Sequence, residues 1–383
     1  LEVSAEAIAI AEKRTLGMSR RFWALVRYVL GLVVLGIVLW VLSSHRSELS
    51  GLSSVLSHLR WVWIPPAVFL ELFSFVCFAR MQAGILKGGG LVAPRVPLLN
   101  MTFASQAIAN SLPAGIAVSS VYGFRWYRRF GADDTLAAWS LAGTFVASVL
   151  SLSLVAAAGL ALATSAGASL DLVPVIIGVL GLTVSLGVLF VYERPLAATV
   201  SWTIRVSRRL IGRPRGDVNE QIQIAIKWVT TARLGWREVV QTLLWGTSNW
   251  LLDCACFAMM FKAVGTSIPW NGLLLAYGAG QLAATLPITP GGLGVVEGSI
   301  TIALVAFGSS QTTTVDAVLM YRLISFWLIL LIGWSLWGVL GLQVRRGRWS
   351  RNVREAEIEA GMTADVDVDV VGDMGTTIPS VSS

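Results

Sequence analysis

Histidine and charge are what this sequence has least of. Two histidines, His45 and His58, stand in 383 residues, and Asp, Glu, Lys and Arg together make up 13%, about half the share of a soluble globular domain. Both histidines fall in one short loop between apolar stretches. The three cysteines, Cys77, Cys254 and Cys256, all lie inside such stretches, with neither metal-ligand spacing nor a disulfide framework. They read as small buried hydrophobes. No paired-acid or Cys/His cluster suggests a metal, and no cofactor is expected. A G-x-x-x-x-G-K-[ST] loop is also missing, so this chain is not expected to hydrolyse ATP. The formal charge of +7 sits between apolar segments and forms no basic stripe on a soluble fold, so nucleic acid is not an expected partner.

What fills the sequence instead is apolar residues, 55% of the chain, gathered in runs such as 28–43, 136–163 and 172–192. Each run is close to the roughly 20 residues that a helix needs to cross about 30 Å of hydrocarbon. They recur along most of the chain, which predicts an all-α, polytopic helical membrane protein. The first run lacks a small-residue cleavage site and is followed by further spans, so it reads as a retained span and not as a leader. Lysine and arginine cluster at 13–21, 80–95, 125–129, 205–233 and 345–351. The positive-inside bias then puts both termini in the cytoplasm of a bacterial inner (plasma) membrane.

The expected layout is a cytoplasmic lead over 1–21, a first membrane half over 22–194, a cytoplasmic linker over 195–237, a second half over 238–345 and a tail over 346–383. The linker carries helical periodicity with basic faces, as helices lying at the headgroup level would. The tail beyond about 361 is rich in Asp, Val and Ser with few large hydrophobes, and disorder is the expectation. Six full spans are expected, over 23–43, 62–84, 133–163, 172–192, 238–262 and 316–342. Tryptophans at their edges (Trp61, Trp63, Trp236, Trp270 and Trp349) suit interfacial belts.

Two further apolar stretches are broken. The stretch 96–122 is interrupted by Asn110-Ser111-Leu112-Pro113-Ala114-Gly115, and 268–308 by Leu286-Pro287-Ile288-Thr289-Pro290-Gly291-Gly292. Proline removes a backbone donor and glycine frees the backbone. Basic residues flank both ends of the first stretch, and lysine and arginine are missing after the second. Each is therefore expected to re-enter on its own side as a hairpin of two half-helices, with its break inside protein or beside a water-filled cavity. The halves also share letters. CFARM (Cys77 to Met81) answers CFAMM (Cys256 to Met260), and QAIANSLP (Gln106 to Pro113) answers QLAATLP (Gln281 to Pro287). The odd number of crossings between them gives the halves opposite orientation, an inverted repeat of the kind that secondary transporters use.

Charge inside these spans is the main candidate for function. Glu297 stands a few residues into the half-helix after Pro290-Gly291-Gly292-Leu293-Gly294, and an intramembrane acid is costly without a partner. Arg322 in the last span is its natural partner, with Arg80 a second. Backbone amides at the glycine turn, or a guanidinium fork, suit a phosphate. The pair can equally be a packing device, and Arg80 can snorkel to the interface. Glu71 and Asp253 are candidates for proton coupling, or are simply capped by neighbouring helices. Asn110, Gln106 and Gln281 are expected to satisfy backbone groups freed at the breaks, or to touch substrate.

ITPGGLGVVEG (Ile288 to Gly298), followed by VDAVLMYRLISFWLILLIGW (Val315 to Trp334), resembles the signature of the lysylphosphatidylglycerol synthase transmembrane-region family, also described as flippase-like membrane proteins. The first break, Asn110 through Pro113 and Gly115 to Arg125, resembles that family's other motif more loosely. Where the family usually has a glycine–acid pair and an arginine, this chain reads AVSSVYGFR. The resemblance covers about 23–345. It implies lipid handling without the soluble aminoacyl-transferring module, since a short acidic tail follows the last span. The function it implies is movement of a polar-headed lipid, phospho- or polyprenyl-linked, between leaflets. The alternatives are a membrane-embedded lipid or glycan transferase, and an accessory subunit partnered with envelope-biosynthesis enzymes. The sequence leaves the lipid and the oligomeric state open.

Overall fold

In the computed structural model, the described residues are 59–112, 115–165, 181, 235–284 and 289–345. The expected span at 23–43, all but one residue of that at 172–192, the terminal segments, nearly all of the linker, Pro113, both histidines and Trp349 lie outside them. Among the described residues the secondary structure is helical, with no strand.

A single 3-10 turn, Trp61–Trp63, leads into α1 (Ile64–Gly88). Prolines at the first positions of α1 give up no hydrogen bond, because the first turn has no partner for their N–H. Next come α2 (Arg95–Ser111), α3 (Gly115–Arg129) and α4 (Asp134–Ser165). The Asp133 carboxylate accepts the Leu136 amide at 2.7 Å and so caps the start of α4. The second half supplies α5 (Trp236–Val264), α6 (Trp270–Ala284), a 3-10 turn over Pro290–Gly292, and α7 (Val295–Ala306). Then α8 (Gln311–Arg322) runs through a π-helical segment, Leu323–Leu328, into α9 (Ile329–Arg345).

Three of the described helical stretches are long and apolar enough to cross a membrane: Trp61–Gly88, Asp134–Thr164 and Gln311–Gln343. At 29 residues, α5 is also long enough, roughly 43 Å at the helical rise. Its apolar character is diluted by Thr247, Ser248, Asn249 and Asp253. Large apolar side chains such as Phe69, Ile302 and Leu331 are exposed on the outer faces. Exposure of that kind along entire helices marks lipid as the surrounding medium. Trp61, Trp236 and Trp270 are exposed at helix starts, as belt residues should be.

The packing pairs the two halves. The largest helix interface joins α1 to α5, and it is antiparallel, since the Arg60 amide at the head of α1 donates to the Ala263 carbonyl at the foot of α5 at 2.8 Å. The repeated letters lie at opposite ends of this interface, with Met81 against Gly246 and the Cys256 to Met260 run in the cluster around Ala67. Cys77, Ala79 and Met81 are buried, and so are Cys256, Ala258 and Met260. The next two largest interfaces among the described helices also join the halves. The first helix of each broken stretch packs on the last helix of the other half, α2 on α9 and α6 on α4. Both crossings need a glycine. A Cβ on Gly333 would strike the Phe103 carbonyl, and one on Gly159 would strike the backbone at Leu274 and Leu275. Small residues at helix crossings let backbones approach in a medium that offers little hydrophobic drive.

Candidate functional site

Where α2 ends, the chain leaves the helix. Leu112 is extended at φ −119°, ψ 143°. The matching break after α6 includes Gly291 at φ 58°, a left-handed conformation in which a side chain would also collide with the Phe326 ring. The two breaks touch each other. The carbonyl of Asn110 lies against Gly291, and α2 contacts the Pro290–Gly292 turn directly. Trp334 on α9 donates its indole N–H to Ser111 Oγ at 3.1 Å, fastening the last span to the first break.

A cavity of about 400 Å³ opens beside this junction. Its walls come from both halves and mix aromatic rings (Phe75, Phe78, Trp250) with hydroxyls and amides. Polar groups from the first half include Ser74, Gln82, Thr102, Ser105, Gln106 and Asn110, and those from the second include Asn249, Gln281 and Thr289. Glu71, Asp253, Gly115, Gly291, Tyr321 and Arg322 also face it. Several of the polar groups are bound to one another. Thr102 Oγ1 donates to Gln82 Oε1 at 2.7 Å, and the Gln106 amide donates to Asn110 Oδ1 at 3.1 Å. The Gln281 amide donates to the Tyr321 hydroxyl at 2.9 Å. The two glutamines therefore bind side chains here, where freed backbone groups were the expectation.

Glu297 and Arg322 form one connected lock. Arg322 Nε donates to Glu297 Oε1 at 2.6 Å, Arg322 Nη2 to the Gly291 carbonyl at 2.9 Å, and the guanidinium lies 4.8 Å from the Phe326 ring centre. The other oxygen of Glu297 accepts the Gly294 amide at 2.7 Å, so the start of α7 is capped by its own acid. That amide, which the sequence offered to a phosphate, is occupied by a carboxylate. Arg322 lines the cavity and Glu297 stands behind it. The π-helical segment begins at the next residue, a distortion that often marks functional sites. Gly292 and Gly294 shape the turn at φ 68° and 81°.

Glu71 and Asp253 are brought together, one from α1 and one from α5. Asp253 accepts two phenol hydroxyls, Tyr277 at 2.7 Å and Tyr321 at 2.8 Å. Glu71 is 2% exposed, and its Oε2 has no hydrogen-bond partner. Tyr277 and Tyr321 did not stand out in the sequence. The available signal was their helical phase, which turns each toward the Asp253 face of the bundle.

Two arginines with expected roles sit elsewhere. Arg80 is exposed, stacks 6.0 Å from the Trp245 ring centre and does not line the cavity. Arg125 is exposed on α3 and is likewise outside the cavity wall.

Comparison with known proteins gives these features a family context. The model of the lysylphosphatidylglycerol synthase transmembrane region matches residues 28–333. A UPF0104 membrane protein of Methanothermobacter thermautotrophicus is 26% identical over 137 residues, 34% of this chain and 40% of that protein. A UPF0104 membrane protein of Pyrococcus horikoshii is 29% identical over 110 residues, 29% of this chain and 32% of that one. The chain thus spans well under half the length of these curated relatives.

Proposed function

Because the chain belongs to the lysylphosphatidylglycerol synthase transmembrane-region family, and so to a family of membrane proteins concerned with lipid, we propose that it carries a polar-headed lipid between leaflets without an ATPase of its own. The headgroup, phospho- or polyprenyl-linked, passes through the cavity at the junction of the two breaks, while the acyl or prenyl chains stay in the bilayer. The observation that carries this reading is the cavity itself. At about 400 Å³ it falls within the range of small-molecule sites, and both halves furnish its polar lining. Hydroxyls and amides replace the water that a headgroup loses on leaving the interface, a loss that is otherwise expensive.

Arg322 is the group on this wall suited to an anionic oxygen. A guanidinium can hold a phosphate through two parallel hydrogen bonds, and an arriving phosphate would compete with Glu297 and the Gly291 carbonyl for it. Releasing that lock frees the second break to move against α2, because Gly291 and Asn110 are in contact. Two broken helical stretches that meet beside a polar hollow fit this exchange, as re-entrant hairpins would.

The test is reconstitution of the full chain into liposomes containing lipids with fluorescent headgroups, read by quenching from one side. Ser105→Leu, which fills the cavity, and Arg322→Lys, which keeps charge but loses the fork, should each abolish protein-dependent movement. Ser335→Leu, on an exposed face of α9, should leave it unchanged. Equal rates in all four proteins would end the cavity reading. Formation of a new lipid product from an added donor would favour a transferase.

A further inference from the structure

Among the described residues, the charges in and beside the cavity do not balance. Glu71, Asp253 and Glu297 present three carboxyls to a single guanidinium, Arg322, and that guanidinium is committed to Glu297 at 2.6 Å and to the Gly291 carbonyl at 2.9 Å. Groups around the other two carboxyls do not correct the count. Cys254 and Cys256 face them from α5, Tyr277 from α6, and Tyr321 and Arg322 from α8. Nearby α4 contributes the neutral Ser148 and Leu152 to the same cavity. Among the described residues, Arg322 alone brings positive charge to the pair.

The two carboxyls lie within hydrogen-bonding reach of each other, and one oxygen of the pair has no donor. Both oxygens of Asp253 accept tyrosine hydroxyls, but Glu71 Oε2 accepts nothing although the residue is 2% exposed and faces the cavity. Two facing carboxylates without a counter-charge cannot be held in hydrocarbon at tolerable cost. We propose that Glu71 and Asp253 form a binding site for one small monovalent cation, a proton or Na+, at the wall of the cavity.

The composition of the site favours a monovalent ligand. No group of three or more His, Cys, Asp or Glu that could hold a metal ion occurs among the described residues, whereas divalent cations recruit six or more oxygens rich in carboxylate. A proton would lie in a hydrogen bond between the two carboxyls. Na+ would take oxygens from both, completed by water from the cavity. The site communicates with the lock because Tyr321, bonded to Asp253, precedes Arg322 in the chain. When the cation leaves, Asp253 becomes a rival to Glu297 for the guanidinium. Cation occupancy and the lock that holds the second break are then linked, so that the ion can drive the cycle. The charge count holds whatever the cavity carries.

Radioactive sodium binding and pH-jump infrared difference spectroscopy on the full chain in lipid nanodiscs test the proposal without any lipid substrate. Saturable sodium binding lost in both Glu71→Gln and Asp253→Asn identifies Na+. Absence of sodium binding, with a protonated-carboxyl band that Glu71→Gln removes or shifts, identifies a proton. Both substitutions remove uncompensated charge at nearly constant shape, so each variant should fold and unfold at a higher temperature than the parent in sodium-free buffer at high pH. Failure to find either sodium binding or a protonated carboxyl overturns the proposal. So does sodium binding retained in both variants, or, where no sodium binds, a carboxyl band unchanged in both, or variants that are less stable under those conditions. None of these outcomes depends on whether lipid moves, so a negative flip assay and a negative cation assay remain distinct results.

Discussion

The two breaks occupy matching places in the fold and are held by different chemistry. The second is tied by charge, with Arg322 bridging Glu297 and the Gly291 carbonyl while Glu297 caps α7. The first is tied by neutral groups, the Gln106–Asn110 amide pair and the indole of Trp334 on Ser111. The letters behind the difference are visible. Glu297 follows the second break, whereas AVSSV follows the first. Helix packing obeys the repeat, and the polar chemistry does not. Among the described residues the charged lock belongs to one half only, so the two breaks should differ in what releases them.

Breaking the charged tie should cost most. Arg322→Ala leaves Glu297 without its cation and Gly291 without a donor, and loss of one partner from a buried pair typically costs about 3 kcal/mol or more. Thermal unfolding in detergent should show the loss, and Arg322→Ala combined with Glu297→Ala should recover part of it, the signature of coupled residues. If the double variant is as unstable as the sum of the singles, the lock is not a unit.

The scaffold's symmetry can be tested with the two crossing glycines. Gly333→Val forces α9 away from α2 and Gly159→Val forces α4 away from α6. Each should cost about 2 kcal/mol, in the range of overpacking changes. Similar losses sharpen the comparison. A large loss at one site beside none at the other would mean that only one half depends on the close crossing.

Much of this arrangement was legible beforehand. Runs of about twenty apolar residues gave the helical membrane class, and the proline–glycine interruptions gave the breaks because their backbone consequences are local. Glu297 and Arg322 could be matched because each is a charge with few rivals in an apolar context. Glu71 and Asp253 were visible singly as intramembrane acids. Their meeting was not, since it depends on how α1 lies along α5, which no local pattern encodes. Tyr277 and Tyr321 were hidden for a related reason, because a tyrosine in a span looks like any aromatic until its hydroxyl has a partner. Arg80 shows the converse. It is the one letter at which CFARM departs from CFAMM, and its helical phase turns it outward to Trp245, so a charge within an apolar span did not by itself assign a cavity role.

Neutral ties should matter less, and Tyr321→Phe measures one. The change removes the donor to Asp253 Oδ1 and the acceptor of the Gln281 amide while keeping the ring against Phe257, 5.1 Å away between centroids. Side-chain hydrogen bonds between membrane helices average about 0.6 kcal/mol, so losing both should lower stability by about 1 kcal/mol.

The smallest effect belongs to the tie between the last span and the first break. Trp334→Phe deletes the indole N–H that reaches Ser111 Oγ but leaves an aromatic ring beside Trp337, whose centroid lies 5.5 Å away. Ser111 keeps its own bond to the Ala107 carbonyl at 2.6 Å, so no polar group is orphaned. The expected loss is a single interhelical bond, about 0.6 kcal/mol, visible as a small shift in the unfolding midpoint. Its value lies in the contrast with Arg322→Ala. If Trp334→Phe costs as much as the arginine substitution, the first break is fastened as firmly as the second, and the charged tie is not the stronger of the two.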